Sequence, residues 1–336
     1  MRSTFLLCVA RFALCLSASV GPAASTAAAS DVPDVDPEAA AQDVAGRAAT
    51  GNPSEEGDPP PLREVIGANL EQGYIIPTAG LGNVDPLLFE AKVSPYYALS
   101  LGKGHDAVVF AFKTIVRMRY EEGFPVSTPS YMPRLIYYHY GEDPYHNGHD
   151  YYYVMVSHHS NGQKGPFYNP DGTVNMTDGE FSTNFIEMGA YSHGFADTKQ
   201  EEPQQDPKRR LIRGGFAAQI HVPINRSKEL EEVHYGFYRV KYWQTFLLGE
   251  EGDHKRKSRL TFSAFAILGP LHDADIWDWK RLGLDISLRQ DLNWFDNLDL
   301  YLDFYTGQDY YNIRYTENIT VLRVGVISDV GLAERG

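Results

Sequence analysis

Residues 298–304 run Leu298-Asp299-Leu300-Tyr301-Leu302-Asp303-Phe304, apolar at every even position and polar or hydroxylated at every odd one. A period of two puts each set on its own face of an extended strand. The pattern recurs on either side. Leu282, Leu284, Ile286 and Leu288 alternate with Asp285, Ser287 and Arg289, and Leu322, Val324 and Val326 alternate with Arg323 and Gly325. Upstream, Phe89, Ala91, Val93 and Leu99 oppose Glu90, Lys92 and Ser94, while Val108, Phe110, Phe112, Val116 and Met118 oppose Lys113 and Arg117. Ile212, Phe216, Ile220, Val222 and Ile224 oppose Arg213, Gln219 and His221, and Tyr238, Val240, Tyr242, Phe246 and Leu248 oppose Arg239 and Lys241.

Each run is about ten residues long, the length a tilted strand needs to cross a membrane. The polar face carries both signs of charge: Lys113, Arg117, Arg239, Asp285, Arg289, Asp299, Asp303 and Arg323. Such a set can pair inside an enclosed space. A soluble sandwich also alternates, but its polar face is solvated and seldom holds full charges on strand after strand. About twelve such segments fit between residues 73 and 328, an even number as closure with both ends on one side requires. The expected fold is therefore all-β, a twelve-stranded antiparallel transmembrane β-barrel over residues 71–330. Its charged interior is crowded for that strand number, which favours a plugged lumen over a channel.

Composition is consistent with this. No run of eighteen apolar residues exists to form a membrane helix. Aromatic residues make up 13% of the 336-residue chain, with 22 tyrosines, a content that suits interfacial girdles. The first 29 residues read as an export signal: Arg2, an apolar run Phe12–Val20, then small residues to Ala27-Ala28-Ala29, with cleavage sites available after Ala24 or Ala29. Both cysteines, Cys8 and Cys15, fall in that leader, so the mature chain folds without disulfides. The chain has 30 basic and 44 acidic residues; losing Arg2 and Arg11 with the leader leaves 28 against 44, a formal charge of −16. That balance excludes nucleic acid as a partner. Residues 30–70 are acidic and rich in Ala, Pro and Gly, with too few large apolar groups for a core, and are expected to be a disordered periplasmic segment. Residues 331–336 form a tail.

The chemistry-bearing residues sit at the end of one strand and the start of the next. The outward set of the segment around Tyr152–Ser160, fixed by Val154 and Val156, continues to His158 and Ser160. The next strand begins near Ser182, and its apolar set Ile186, Met188 and Ala190 includes Asn184 by parity. His158, Ser160 and Asn184 thus project from the lipid-side face of two sequential strands, while His159, Asn161 and Glu187 face the lumen. A serine hydroxyl becomes a useful nucleophile only beside a base, and histidine titrates in the right range. Asn184 is suited to hold the imidazole tautomer without placing a carboxylate against hydrocarbon. Gly162 allows backbone to approach a developing oxyanion. Taken singly, each of these side chains is equally at home as an interfacial polar residue at a strand end.

His158-His159-Ser160-Asn161-Gly162-Gln163 resembles the His-x-Ser-Asn-Gly motif of the outer membrane phospholipase A family, and Ser182-Thr183-Asn184 resembles the segment carrying that family's catalytic asparagine. Ser130-Tyr131-Met132-Pro133 and Tyr301–Gly325 are similar to further segments of the family. The resemblance implies calcium-dependent hydrolysis of acyl esters of phospholipids and lysophospholipids in the Gram-negative outer membrane. It assigns His158 as base, Ser160 as nucleophile and Asn184 as orienting residue, with a homodimer formed through the lipid-facing wall. The implied calcium ligands are Gln163, through its carbonyl, with Ser182 and Glu180; the Glu229, Glu231 and Glu232 loop is a further acidic source. The chain departs from the family in a longer loop between Ser160 and Asn184, in Gln163 where arginine is common, and in a non-aromatic C-terminus. Two alternatives stay open at this point: a non-enzymatic barrel such as a small porin, and a soluble secreted hydrolase.

Overall fold

A computed structural model describes residues 71–328, apart from 102–105, 121–124, 127, 144–147, 197–209, 233, 249–257 and 293–297. The expected leader 1–29, the acidic segment 30–70 and the tail 331–336 lie outside the described residues.

The polypeptide forms one antiparallel sheet of fourteen strand segments. In chain order these are β1 (Gly73–Pro77), β2 (Leu81–Gly82), β3 (Leu87–Val93), β4 (Tyr96–Leu101), β5 (Asp106–Arg119), β6 (Ser130–Asp143) and β7 (Gly148–Ser160). They continue as β8 (Ser182–Ala196), β9 (Arg210–Val222), β10 (Tyr238–Leu248), β11 (Ser258–Leu268), β12 (Leu282–Asp291), β13 (Asp299–Gln308) and β14 (Asn318–Ser328). Two of the staves are broken. β3 and β4 both pair with β5, and the interruption falls at Pro95, which has no N–H to give. The ladder resumes there because Phe112 N–H donates to the Pro95 carbonyl at 2.9 Å. β1 and β2 likewise both lie against β14. The molecule is thus a twelve-strand closed antiparallel barrel. Closure joins first to last: Gly73 pairs with Ser328, Tyr74 with Ile327 and Ile75 with Val326.

The two faces of the wall are inverted relative to a water-soluble protein. Phe216 is 66% exposed and Val324 54%, while the charged Arg117 and Asp303 are 3% and 0% exposed. In water this arrangement would forfeit the apolar burial that drives folding. In a bilayer it is the only arrangement that keeps charge out of hydrocarbon. Where side chains are described, the outward apolar sets are those the alternation predicted, except that Leu298 and Ile224 stand just outside β13 and β9. The wall is a membrane wall.

Inside, charges pair. Glu90 accepts from Arg117 Nε at 2.6 Å, Arg323 at 3.1 Å, Tyr74 OH at 2.6 Å and Tyr310 OH at 2.7 Å. Arg117 also donates to both oxygens of Asp309, at 2.7 and 3.1 Å, and Arg323 Nε donates to Asp303 at 2.8 Å. The lumen differs from expectation in one half. Around the inner faces of β5–β9 it is filled by Ala107, Val109, Ile136, Tyr138, Tyr151 and Met155, an apolar cluster. There both faces of the strand are apolar, so alternation is muted and period two alone does not tell inside from outside. Elsewhere a cavity of about 460 Å³ remains, lined by residues including Lys92, Arg239, Lys241, Asp285 and Tyr301. Phe167, Phe181, Leu230, Tyr235, Ile313 and Tyr315 pack together from the β7–β8, β9–β10 and β13–β14 connections. Those connections arise from opposite sides of the ring, so their contact spans the barrel mouth and caps it.

Removing one partner of a buried charge cluster leaves the others uncompensated, which costs about 3–5 kcal/mol. Glu90→Gln strips the shared acceptor from Arg117 and Arg323. It should lower the unfolding free energy in detergent or vesicles by that amount, read as a drop in the urea midpoint; an unchanged midpoint would show that the cluster is dispensable.

Candidate active site

β7 and β8 pair with His158 opposite Asn184 and Ser160 opposite Ser182. Because side chains of directly opposed residues share a face, all four point the same way, and their half-exposed positions alternate with buried Ser157, His159, Thr183 and Phe185. The face is the outer wall, as the parity predicted. The lumen-side set is also where expected: His159, Asn161 and Glu187 are buried.

The His158 ring meets Asn184 at 2.8 Å, Nδ1 to Oδ1. The orientation of that amide is fixed from the other side. Asn184 Nδ2 donates to the Ile224 carbonyl at 2.6 Å and the Asn225 carbonyl at 3.2 Å, so its oxygen faces the ring. An oxygen can only accept, so His158 donates from Nδ1 and carries its free lone pair on Nε2. Asn225 has a φ of 46°, and this turn after Pro223 aims two successive carbonyls at Asn184. Neither carbonyl was anticipated from the sequence, where Ile224 reads as one more strand residue. Ser160 lies two residues past His158 on the same face, with Tyr131 of β6 opposite on its other side. The hydrogen bond between His158 and Ser160 is not made among the described residues. Such contacts are often long in ligand-free sites and tighten when substrate arrives.

Beyond Ser160 the chain leaves the wall through a neck built on Asn161, which is 1% exposed. Its backbone N–H donates to the Phe181 carbonyl at 3.1 Å, and its Nδ2 to the Gly179 carbonyl at 2.7 Å. Its Oδ1 accepts from the N–H groups of Phe181 at 3.1 Å and Gln163 at 3.2 Å. One side chain therefore holds both ends of the 160s–180s loop together. A sequence reading places Asn161 only as a lumen residue, since its partners lie up to twenty positions away. Gly162 follows with φ 69°, a left-handed conformation that glycine adopts without strain. Its N–H makes no hydrogen bond among the described residues, which leaves a donor beside Ser160.

The three expected metal ligands lie on the two segments that this neck joins, and no contact brings them together. Glu180 N–H donates to the Gly165 carbonyl at 3.0 Å, Gln163 is tied to Asn161, and Ser182 Oγ donates to the Asn225 carbonyl at 3.0 Å. All are oxygen donors, the kind that calcium takes, but only Glu180 brings a charge. Glu231 is engaged by Arg226 instead. Among the described residues no three His, Asp or Glu side chains converge on a metal-sized space. The set fits calcium in kind and falls short in number, since the ion takes six to eight oxygens.

Together the fold and the site define a closed membrane barrel with a histidine–asparagine pair and an adjacent serine on its lipid-facing wall. Solved structures share this barrel, two of them as follows. One is the outer membrane phospholipase of Salmonella typhi, a dimer with bound calcium, at TM-score 0.52 and 15% identity over 77% of this chain and 90% of that one. The other is outer membrane phospholipase A from Escherichia coli, at TM-score 0.52 and 14% identity over 77% and 92%. The chain thus has an outer membrane phospholipase A-like fold. No protein-family model matches it, and no relative appears among curated proteins.

If Asn184 sets the His158 tautomer, Asn184→Ala should release it. Histidine ¹⁵N spectra should show one Nδ1–H species in the parent and a tautomer mixture in the variant. A His158 that stays in the Nδ1–H form without Asn184 would remove that role.

Proposed function

We propose that the chain is an exported outer-membrane phospholipase that hydrolyses acyl ester bonds of phospholipids and lysophospholipids, and that it belongs with the outer membrane phospholipase A family. The observation that carries this reading is the His158–Asn184 pair, oriented by two backbone carbonyls and turned outward beside Ser160. A base, a nucleophile and an orienting amide facing lipid have use only for a substrate whose scissile bond lies in the membrane surface.

In this reading Ser160 Oγ attacks the ester carbonyl while His158 Nε2 takes its proton. The developing oxyanion lies toward the free N–H of Gly162. As the tetrahedral intermediate collapses, His158 returns the proton to the departing lysophospholipid oxygen, leaving an acyl-serine. Water, deprotonated by the same nitrogen, then releases the fatty acid and restores Ser160. Asn184 keeps Nδ1 protonated throughout, and being neutral it adds no charge at the hydrocarbon boundary.

Gln163 through its carbonyl, Ser182 and Glu180 would hold a calcium ion. When bound, calcium polarises the ester carbonyl. Because this set is too small alone, water, substrate or a second copy of the chain would complete it; the homodimer through the lipid-facing wall rests on the likeness to the Salmonella typhi phospholipase, which is a dimer. The capped mouth weighs against the rival reading of a porin, and the inverted wall weighs against a soluble secreted hydrolase. Residues 1–29 serve as the signal peptide.

The test is phospholipid hydrolysis by the purified chain in mixed micelles. Ser160→Ala and His158→Ala should each lose about 10³-fold or more in kcat/KM, and Asn184→Ala about 10²-fold through misplacement of the ring. A Ser160→Ala protein that hydrolyses lipid at the parental rate sinks the assignment. Chelation should abolish the parental activity and added calcium restore it; full activity in excess chelator would remove the metal from the proposal while leaving the serine assignment standing.

A further inference from the structure

The connection between β11 and β12, residues 269–281, is built inside out. Trp277 is 93% exposed, Ile276 76% and Trp279 60%. Its interior is polar. Arg281 Nε donates to the Asp275 carbonyl at 2.7 Å, one terminal nitrogen to the Gly269 carbonyl at 2.7 Å and to Ile267 at 3.2 Å, and the other to Ala274 at 3.0 Å. The Asp278 side chain accepts from Lys280 N–H at 2.9 Å. Leu271 bridges to Tyr235, and His272 N–H donates to the His234 carbonyl at 2.9 Å, which ties the loop to its neighbour. A loop so heavily bonded has a set shape. That shape presents three large apolar side chains to the outside, which a loop standing in water has no reason to do.

The patch is continuous with the membrane wall. Leu268 and Leu282, at the ends of β11 and β12, are 48% and 58% exposed on the outward face, and Tyr238 opposite Leu268 is 50% exposed. Antiparallel parity puts this loop at the barrel end that carries His158, Ser160 and Asn184, opposite the end where β1 begins and β14 finishes. We infer that Ile276, Trp277 and Trp279 form an interfacial anchor that inserts into the headgroup–acyl boundary of the leaflet at that end. Tryptophan favours that depth because its ring is apolar and its N–H stays in reach of water and headgroups. Arg281 is the residue that holds the anchor's shape, by donating to four loop and strand carbonyls. The anchor goes beyond the lipolytic reading and does not depend on it.

The chain has four tryptophans, so the loop pair is read as a difference. The full chain and its Trp277→Ser/Trp279→Ser variant are placed in phosphatidylcholine vesicles whose acyl chains carry bromine at shallow or deep positions. The emission lost in the variant should be blue-shifted, little affected by aqueous acrylamide, and quenched about twofold more by shallow than by deep bromines. Emission that is red, acrylamide-sensitive and indifferent to bromine in either position would overturn the anchor and leave the patch to a protein partner. Should the serine pair fail to refold, Trp277→Phe/Trp279→Phe supplies the same difference spectrum, and its outcome decides in the same way. Because nothing here is read through hydrolysis, a failed anchor and a failed lipase give different results.

Discussion

Closure of the ladder between Gly73–Ile75 and Val326–Ser328 is the constraint on which the molecule rests. A sheet edge in hydrocarbon would leave a row of N–H and C=O groups with no partner, each costing several kcal/mol, and no water is at hand to relieve it. Once the ring is closed the wall has no open edge, and the side chains are free to sort by solvent alone. The apolar set goes out, the charged set goes in, and the interior charges then have to satisfy one another. Glu90 with Arg117 and Arg323, and their partners Asp309 and Asp303, is that second consequence. The capped mouth follows for a similar reason, since aromatic groups from three connections bury more surface over a narrow barrel than any one of them could alone.

The same closure explains where chemistry can sit. A strand residue in the wall has its backbone committed on both sides, so its side chain direction is set with little slack. Asn184 is held in this way, between His158 and Val222, while His158 is paired with β8 alone because the β6–β7 register skips Met132 and Pro133; direct opposition in the β7–β8 ladder brings the two side chains together. The groups proposed for the oxyanion and the metal, which need free backbone, lie in the neck just outside the wall. There Asn161 does for the loop what the ladder does for the strands, joining Gly162–Gln163 to Gly179–Phe181.

Much of this was legible in the sequence, and for an identifiable reason. A period of two is insensitive to distant context, so Leu300, Leu302 and Phe304 could be assigned to the outer face from their neighbours alone, and the parity of His158, Ser160 and Asn184 came with it. Strand register across the 160s–180s loop was not readable, because a loop of that length permits many offsets; parity says which face Asn184 takes but not that His158 lies opposite. Asn161 and the Ile224–Asn225 carbonyls act through partners far along the chain, and nothing local marks them. The apolar half of the lumen was hidden for the opposite reason: with Val109 inward and Phe110 outward, both faces of β5 are apolar and alternation carries no contrast there.

The neutral character of the orienting residue is tied to its position in the wall. A carboxylate opposite His158 would bind the imidazolium more strongly, but in the resting state it would stand as an unpaired anion at the edge of hydrocarbon. Asn184 avoids that at the cost of a weaker hold on the ring, and the deficit is made up by backbone: two carbonyls grip its amide so that it cannot flip to present nitrogen to His158. The strength of an ion pair is thereby exchanged for preorganisation, which needs no desolvated charge. An orienting carboxylate is therefore expected at sites of this kind only where they open to water, and a carbonyl-gripped amide where they open to lipid.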